Sequence, residues 1–521
     1  MTETGVAPGV PGGLANPDPP EVEAPPADVV VSSVAWWDFV IAAAVVAAAA
    51  ALRFRQLDPR SLWLDDAWPA LVVKTGWSDV TKVGLTAPGF AAALKAWLRV
   101  TGFSETKAQS FAFVCGIAAP ALLWLLCVSR RLGRPAAAVA TAALLTSPAH
   151  IVYSARVKQY TMDSVIVIAL VWLTWRALER PGDARRWDLL ALGAALATAM
   201  SSGVVPVVGG AFLAALFALR VVTKQERRRA YAAIAAYAVF AAVWWRTMLA
   251  PRLSHALTDY WRAFYVSNSN PGGIPTGLRS AVTRLGHASS DLPLAVTLLA
   301  FAAAAVVVVR TRREVAIMLL APLLIAIVLA LLSLAPIGTG RTDVYLYPLF
   351  ALLLAVAVSE LTTRQAWSVL IAVALTVSSL ALARAPSAYP QEDMKFAVAQ
   401  LQAQARPADT VMVYPGGRYA FALYAHWPVT VFTSKAQTNG FDVRVHRPLL
   451  SILEFNVTQQ GYERAVARAT RGATRVWFIG SHGRLDALQI ERSLYDSGFR
   501  ARVRQSDHEA WFLSLWVRKA A

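Results

Sequence analysis

The octapeptide Ser61–Trp68, SLWLDDAW, places two carboxylates, Asp65 and Asp66, side by side just after an apolar run. A carboxylate so placed can take the proton of an attacking hydroxyl. Cations recur further along: Lys107, then Arg156 and Lys158 with Tyr160 and Asp163 in YSARVKQYTMD (153–163), and Arg341 with Asp343 in GRTDVYLYP (340–348). Between them lie Arg252, His255, Asp259, Tyr260, Trp261 and Arg262. Cations of this kind can stabilise charge on a departing phosphate. Polar groups at the edge of a bilayer are costly, so each is first a functional candidate. Each also has a plainer role. One aspartate of the pair can cap a helix. The lysines and arginines can snorkel at helix ends. Arg156 and Asp163 can simply pair with each other. Tyr260 and Trp261, with Phe264 and Tyr265, can form an interfacial aromatic belt.

The remaining polar residues point to little else. His255, His287, His426 and His482 are dispersed, with no second histidine or cysteine three or four residues away, so no dedicated metal site is expected. Gly416–Gly417 and Gly480 lack a phosphate-loop pattern, which argues against a nucleotide-sugar site. Cys115 and Cys127 share one apolar run, which speaks against a disulfide framework or thiolate metal site. No cofactor is expected, with a divalent cation left open.

These groups must be held by a chain of 521 residues that is 56% hydrophobic and 16% charged, with a mean hydropathy of +0.46. A globular protein carries about 25% charged residues. The composition rules out an ordinary soluble enzyme, a fibrous protein and a disordered scaffold. The net charge of +18 then speaks for arginine-rich short loops that orient a membrane protein, and for cationic groups facing an anionic lipid. Nucleic acid is not expected as a partner.

Eleven runs are apolar enough for spans: 36–52, 108–128, 135–153, 164–179, 187–202, 204–219, 230–250, 292–309, 315–335, 343–361 and 366–383. The run 85–98 is short and holds Pro88 and Gly89. Its Lys95 and Arg99 share one face, so it is expected to lie at the interface. Five short loops carry 16 basic residues, including Arg227, Arg228, Arg229, Arg312 and Arg313. Their density assigns them to the cytoplasm. The Pro/Gly-rich, disordered tail 1–35 is then cytoplasmic, although its lack of basic residues opposes that placement. The long loops 53–107 and 251–291 and the segment 385–521 are then extracytoplasmic. That last segment is about 20% charged, with 17 basic and 11 acidic residues. Strands are expected at 410–414, 428–432, 475–479 and 510–517, and helices at 392–404 and 461–469. It reads as a small α/β domain. Asn456-Val-Thr is a sequon with no sign of use.

An acidic pair in the first outer loop resembles the Asp-Glu/Asp-Asp motif of the glycosyltransferase-C superfamily. The closer likeness is to the bacterial branch of protein O-mannosyltransferases and lipid A aminoarabinose transferases. TAPGF (86–90) stands where such proteins open a short helix with a His/Lys-Pro segment. Lys107 stands where they usually have Arg, and Asp66 where they more often have Glu. YSARVKQYTMD resembles the tail of their third span, and GRTDVYLYP their Gly-Arg segment before a late span. The stretches from YPQEDMKF (389–396) and RVWFIGSH (475–482) are similar to an outer domain of an actinobacterial-style subgroup. Order and spacing carry the likeness over about 36–521.

The resemblance implies a polytopic helical membrane protein with about eleven spans over 36–384, and an extracytoplasmic α/β domain over 385–521. It implies inverting transfer of a sugar, mannose or arabinose, from a polyprenyl-phosphate donor to an acceptor hydroxyl outside the plasma (inner) membrane. Asp65 would be the general base and Asp66 its aid. Lys107, Lys158 and Arg341 would bind the donor phosphate. Arg156, Tyr160, Asp163, His255, Tyr260, Trp261 and Arg262 would line the donor and acceptor sites. The acceptor would be a protein, a glycolipid or a cell-wall glycan. Two rivals are a flippase of lipid-linked saccharides and a non-catalytic anchor for the outer domain. A flippase should show internal repeats and broken mid-membrane helices, and none is evident. An anchor does not require Asp65, Asp66, Lys158 and Arg341 to gather on one face.

Overall fold

Alanine, valine and leucine runs fold as helices because in lipid each backbone N–H and C=O must be satisfied within the segment. A computed structural model describes residues 34–84, 87–253, 255–360, 392–454, 458–481, 484–507 and 511–519; the side chains of Arg252 and His255 are outside that set. The helices in chain order are α1 (Trp36–Phe54), α2 (Leu64–Ala70), α3 (Val80–Val83), α4 (Pro88–Thr101), α5 (Glu105–Ser129), α6 (Arg134–Thr146), α7 (Pro148–Tyr153), α8 (Tyr160–Glu179), α9 (Ala184–Met200), α10 (Val205–Ala218), α11 (Lys224–Trp244), α12 (His255–Tyr260), α13 (Gly273–Ser289), α14 (Leu294–Thr311), α15 (Arg313–Leu331) and α16 (Tyr347–Glu360).

Among the described residues, six helices are long and apolar enough to cross a membrane: α1, α5, α8, α11 with its continuation to Leu249, α14 and α15. Shorter apolar helices cover Ser202–Ala218 and Val344–Glu360. Helices thus stand at the first ten expected spans; the eleventh, 366–383, and the tail 1–33 lie outside the described residues. The outward faces expose Leu192, Leu196, Val239, Val243, Leu299, Val306, Leu324 and Val328, an apolar surface suited to lipid and costly in water.

Three details differ from the sequence expectation. The run 135–153 is not one helix. It breaks at Ser147, because a residue before proline is pushed out of the α region, and the Ser147 side chain caps α7 by accepting from the His150 N–H. The loop 251–291 contains the amphipathic α13, which buries Gly277, Ala281 and Leu285. Lys95, expected on an interfacial face of α4, instead donates to the carbonyls of Val72 and Thr75 and lies over the Trp77 ring.

The C-terminal segment is built on strands β1 (Thr410–Val413), β2 (Val429–Thr433), β3 (Phe441–Val445), β4 (Leu450–Ile452), β5 (Arg475–Ser481), β6 (Phe499–Asp507) and β7 (Trp511–Arg518). Five form a mixed sheet in the order β4-β1-β5-β7-β6. β1 is parallel to β4 and β5, with Val411 opposite Leu450 and Trp477, while β7 is antiparallel to β5 and β6. β2 and β3 make a separate antiparallel pair. β1 is buried throughout and β5 from Val476 to Ser481, as expected of central strands covered on both faces. Helices Met394–Gln404 and Gln459–Ala469 meet the expectation; β3, β4, β6 and helices Arg418–Tyr424 and Arg484–Asp496 are additional.

Candidate active site

Helix α2 begins where Trp63, in extended backbone, accepts from the Asp66 and Ala67 N–H groups. Trp63 is the N-cap residue, so neither aspartate caps the helix. Both sit in its first turn, where the helix dipole favours anions. Their surroundings differ. Asp66 is 2% exposed at its side chain, ion-paired with the Arg156 guanidinium at 3.0 Å, and accepts the Val157 N–H at 3.0 Å. Asp65 keeps 22% of its side chain exposed and accepts from Arg341 Nη1 at 2.7 Å.

Arg156 and Lys158 come from the irregular segment between α7 and α8. At its start, Ser154 packs on Gly116 of α5 so closely that a Cβ there would meet the Ser154 Cβ at 2.4 Å. Arg341 comes from the turn before α16. There Asp343 accepts from the Thr339 N–H, Thr339 Oγ1 and the Gly340 N–H. Gly338 and Gly340 have φ of +71° and +74°, a region that favours glycine.

Each cation rests on an aromatic ring: Arg156 over Trp63 at 5.0 Å, Lys158 over Trp68 at 3.9 Å and Arg341 over Trp261 at 4.7 Å. Such contacts contribute about 0.5–2 kcal/mol each. Arg341 also donates Nη2 to the Tyr260 hydroxyl at 2.7 Å.

The electrostatics follow. Burial works to raise the Asp65 pKa, but Lys158, Arg341 and Arg156 outweigh it and hold the carboxyl below its ordinary value. Burial wins at Asp66, which is pushed up, aided by the Asp65 charge and opposed by Arg156 and Lys158. Burial also lowers Lys158 to about 8, against the pull of both aspartates. Arg341 is held above its ordinary value because Tyr160, Asp65 and Tyr260 outweigh burial.

Of the residues singled out by sequence, Asp65, Asp66, Arg156, Lys158, Tyr160, Tyr260, Trp261 and Arg341 come together. Lys107 stands apart, exposed at the start of α5 beside Gly102. Arg262 donates to the Ser269 carbonyl at 2.6 Å. Arg156 pairs with Asp66 and not with Asp163, which is hydrogen-bonded by the Ser201 side chain. Thr86, His482 and the His255 side chain lie outside the described residues. Sequence reasoning overlooked the aromatic platforms, although Trp63 and Trp68 flank the acidic pair in SLWLDDAW. It also overlooked Glu392, a buried acid that accepts the Leu64 N–H at 3.1 Å.

Residues 86–246 match the family described as dolichyl-phosphate-mannose-protein mannosyltransferase. No curated protein sequence matches the chain. The crystal structure of ArnT from Cupriavidus metallidurans in the apo state is similar, with a TM-score of 0.58 at 12% identity, over 92% of this chain and 98% of that one. The same protein bound to undecaprenyl phosphate is similar with a TM-score of 0.56 at 14% identity, again over 92% and 98%. The chain therefore has an ArnT-like fold and resembles the glycosyltransferase-C superfamily.

Proposed function

We propose that this ArnT-like chain is a membrane glycosyltransferase that moves a sugar from a polyprenyl-phosphate donor to an acceptor hydroxyl on the extracytoplasmic face. The observation that carries this is a partly exposed carboxylate, Asp65, bonded to Arg341 and within the electrostatic reach of Lys158. A base and two phosphate-binding cations are what the reaction demands. The ArnT structure with undecaprenyl phosphate supports a lipid-phosphate donor. Mannose and arabinose are the sugars favoured by the family likeness.

In the reaction the acceptor oxygen attacks the anomeric carbon from the face opposite the phosphate. The carbon–oxygen bond to phosphate breaks and its electron pair leaves with the polyprenyl phosphate, so configuration inverts. Asp65 takes the hydroxyl proton. Lys158 and Arg341 stabilise the charge that gathers on phosphate. Arg341 has a second part: while it holds Asp65, it keeps that carboxylate a weak base. A donor phosphate competing for Arg341 frees Asp65 as the sugar arrives. Asp66, buried and ion-paired to Arg156, positions the turn that carries Asp65.

The test is transfer in membranes, with radiolabelled polyprenyl-phosphate mannose and, separately, the arabinose donor. Wild type should move label into a larger product. Asp65→Asn, equal in volume but without the basicity, should lose about 10²–10⁴-fold in rate at equal expression. Equal rates in the two proteins would remove Asp65 as the base. Consumption of neither donor would defeat the choice of sugars.

A further inference from the structure

Open α/β sheets bind ligands beyond the carboxyl ends of their strands, at the point where the strand order reverses. In the C-terminal sheet that point lies between β1 and β5, since the chain passes from β1 to β4 on one side and then to β5 on the other. Here the strand ends are tightly closed. A Cβ on Gly480 would meet the Tyr414 Cβ at 2.3 Å, and one on Gly417 the Ser481 backbone nitrogen at 3.0 Å. Ser481, at the end of β5, donates its hydroxyl to Glu392 Oε2 at 3.2 Å. The same oxygen accepts the Leu64 N–H, the first amide of α2. Glu392 is 2% exposed.

Three further ties reach the same short segment. The Leu62 N–H donates to the Tyr424 hydroxyl at 2.7 Å. The Lys395 N–H donates to Ser61 Oγ at 3.3 Å. Trp68, the ring under Lys158, packs on Phe441 of β3 with centroids 6.0 Å apart. Residues 61, 62, 64 and 68 are thus all held from the C-terminal domain, and they bracket Asp65 and Asp66. The Trp63 side chain does not cap α2, so an outside acceptor satisfies one of the free amides that every helix start leaves.

We propose that the C-terminal α/β domain is a working part of the active site, with Glu392 as the positioning residue that sets the first turn of α2. The carboxyl ends of the strands, used elsewhere for a ligand, are used here to hold the turn that carries Asp65. The kinetic side of this inference rests on the transferase assignment above; the structural side does not.

The test uses the full-length protein in membranes or detergent. Glu392→Ala should lower kcat by on the order of 10–100-fold, with donor KM moving less than about threefold, as expected when a reacting group is displaced and ground-state binding is kept. Glu392→Gln, which retains an acceptor oxygen, should restore most of the loss. Hydrogen–deuterium exchange in Glu392→Ala should quicken over residues 61–70 and stay at the wild-type rate in β1 and β5. Unchanged kcat with unchanged exchange at 61–70 would overturn the proposal. So would quickened exchange throughout β1 and β5, which would make Glu392 a residue of domain folding. If wild type moves no sugar, the transferase assignment fails by itself, and quickened exchange confined to 61–70 would still support the clamp.

Discussion

Asp65 and Asp66 are neighbours with the same chemistry and different environments, and the difference has measurable consequences. Asp66 and Arg156 form a pair with side-chain exposures of 2% and 15%. Arg156→Ala would leave a buried carboxylate without its ion-pair partner, and should destabilise the protein by about 3–5 kcal/mol, seen as a lower unfolding temperature in detergent. Lys158 gives a pH effect with a definite sign. Its folded pKa is about 8 against an ordinary 10.5. The unfolded chain therefore holds more protons between those values, so this group makes stability rise with pH across that window and not below it. Donor binding should run the other way, because a lysine that loses its charge above about pH 8 no longer attracts phosphate. Donor KM should climb above that pH in wild type and stay flatter in Lys158→Arg, whose guanidinium remains charged. The sequence showed these residues by type and by clustering, but not that Arg156 would choose Asp66 over Asp163. That choice depends on how the 154–159 segment lies against α2, which no local pattern encodes.

At the scale of elements, the turn before α16 determines where Arg341 stands. Gly338 has a φ of +71°, and a Cβ there would lie 2.5 Å from the Ala281 Cα of α13. Gly338→Ala must move one of those backbones, at a cost of roughly 1–2 kcal/mol for the left-handed conformation alone. Transfer should fall further than stability does, which paired rate and unfolding measurements would reveal. The spans at α1, α5, α8, α14 and α15 were legible because length and hydropathy act over many residues. The break at Ser147–Pro148 was hidden because both halves are equally apolar. The amphipathic α13 was hidden because Arg279, Arg284 and His287 interrupt its apolar positions, so it forms no uniformly apolar run. In the C-terminal domain β4 is three residues long and β6 is polar at most positions, so neither carried a strand pattern.

At the scale of the whole molecule, the sidedness read from arginine density makes a prediction of its own. A cysteine placed at exposed Gln404, beyond the helix bundle, should react with a membrane-impermeant maleimide on intact cells, and one at Arg228 should not. The native thiols give little background, since Cys127 is buried and Cys115 half-buried in α5. The reverse labelling would invert the assignment. The sequence revealed a C-terminal α/β domain but not its grip on α2, because the partners are remote in the chain. Leu62 and Tyr424 share a 2.7 Å hydrogen bond across 362 positions. During synthesis at about 5–20 residues per second, that separation amounts to roughly 20–70 s. For that interval α2 has left the ribosome without the groups that hold it. The turn that carries Asp65 and Asp66 is therefore finished long after it is made, once the last of its distant partners has been synthesised.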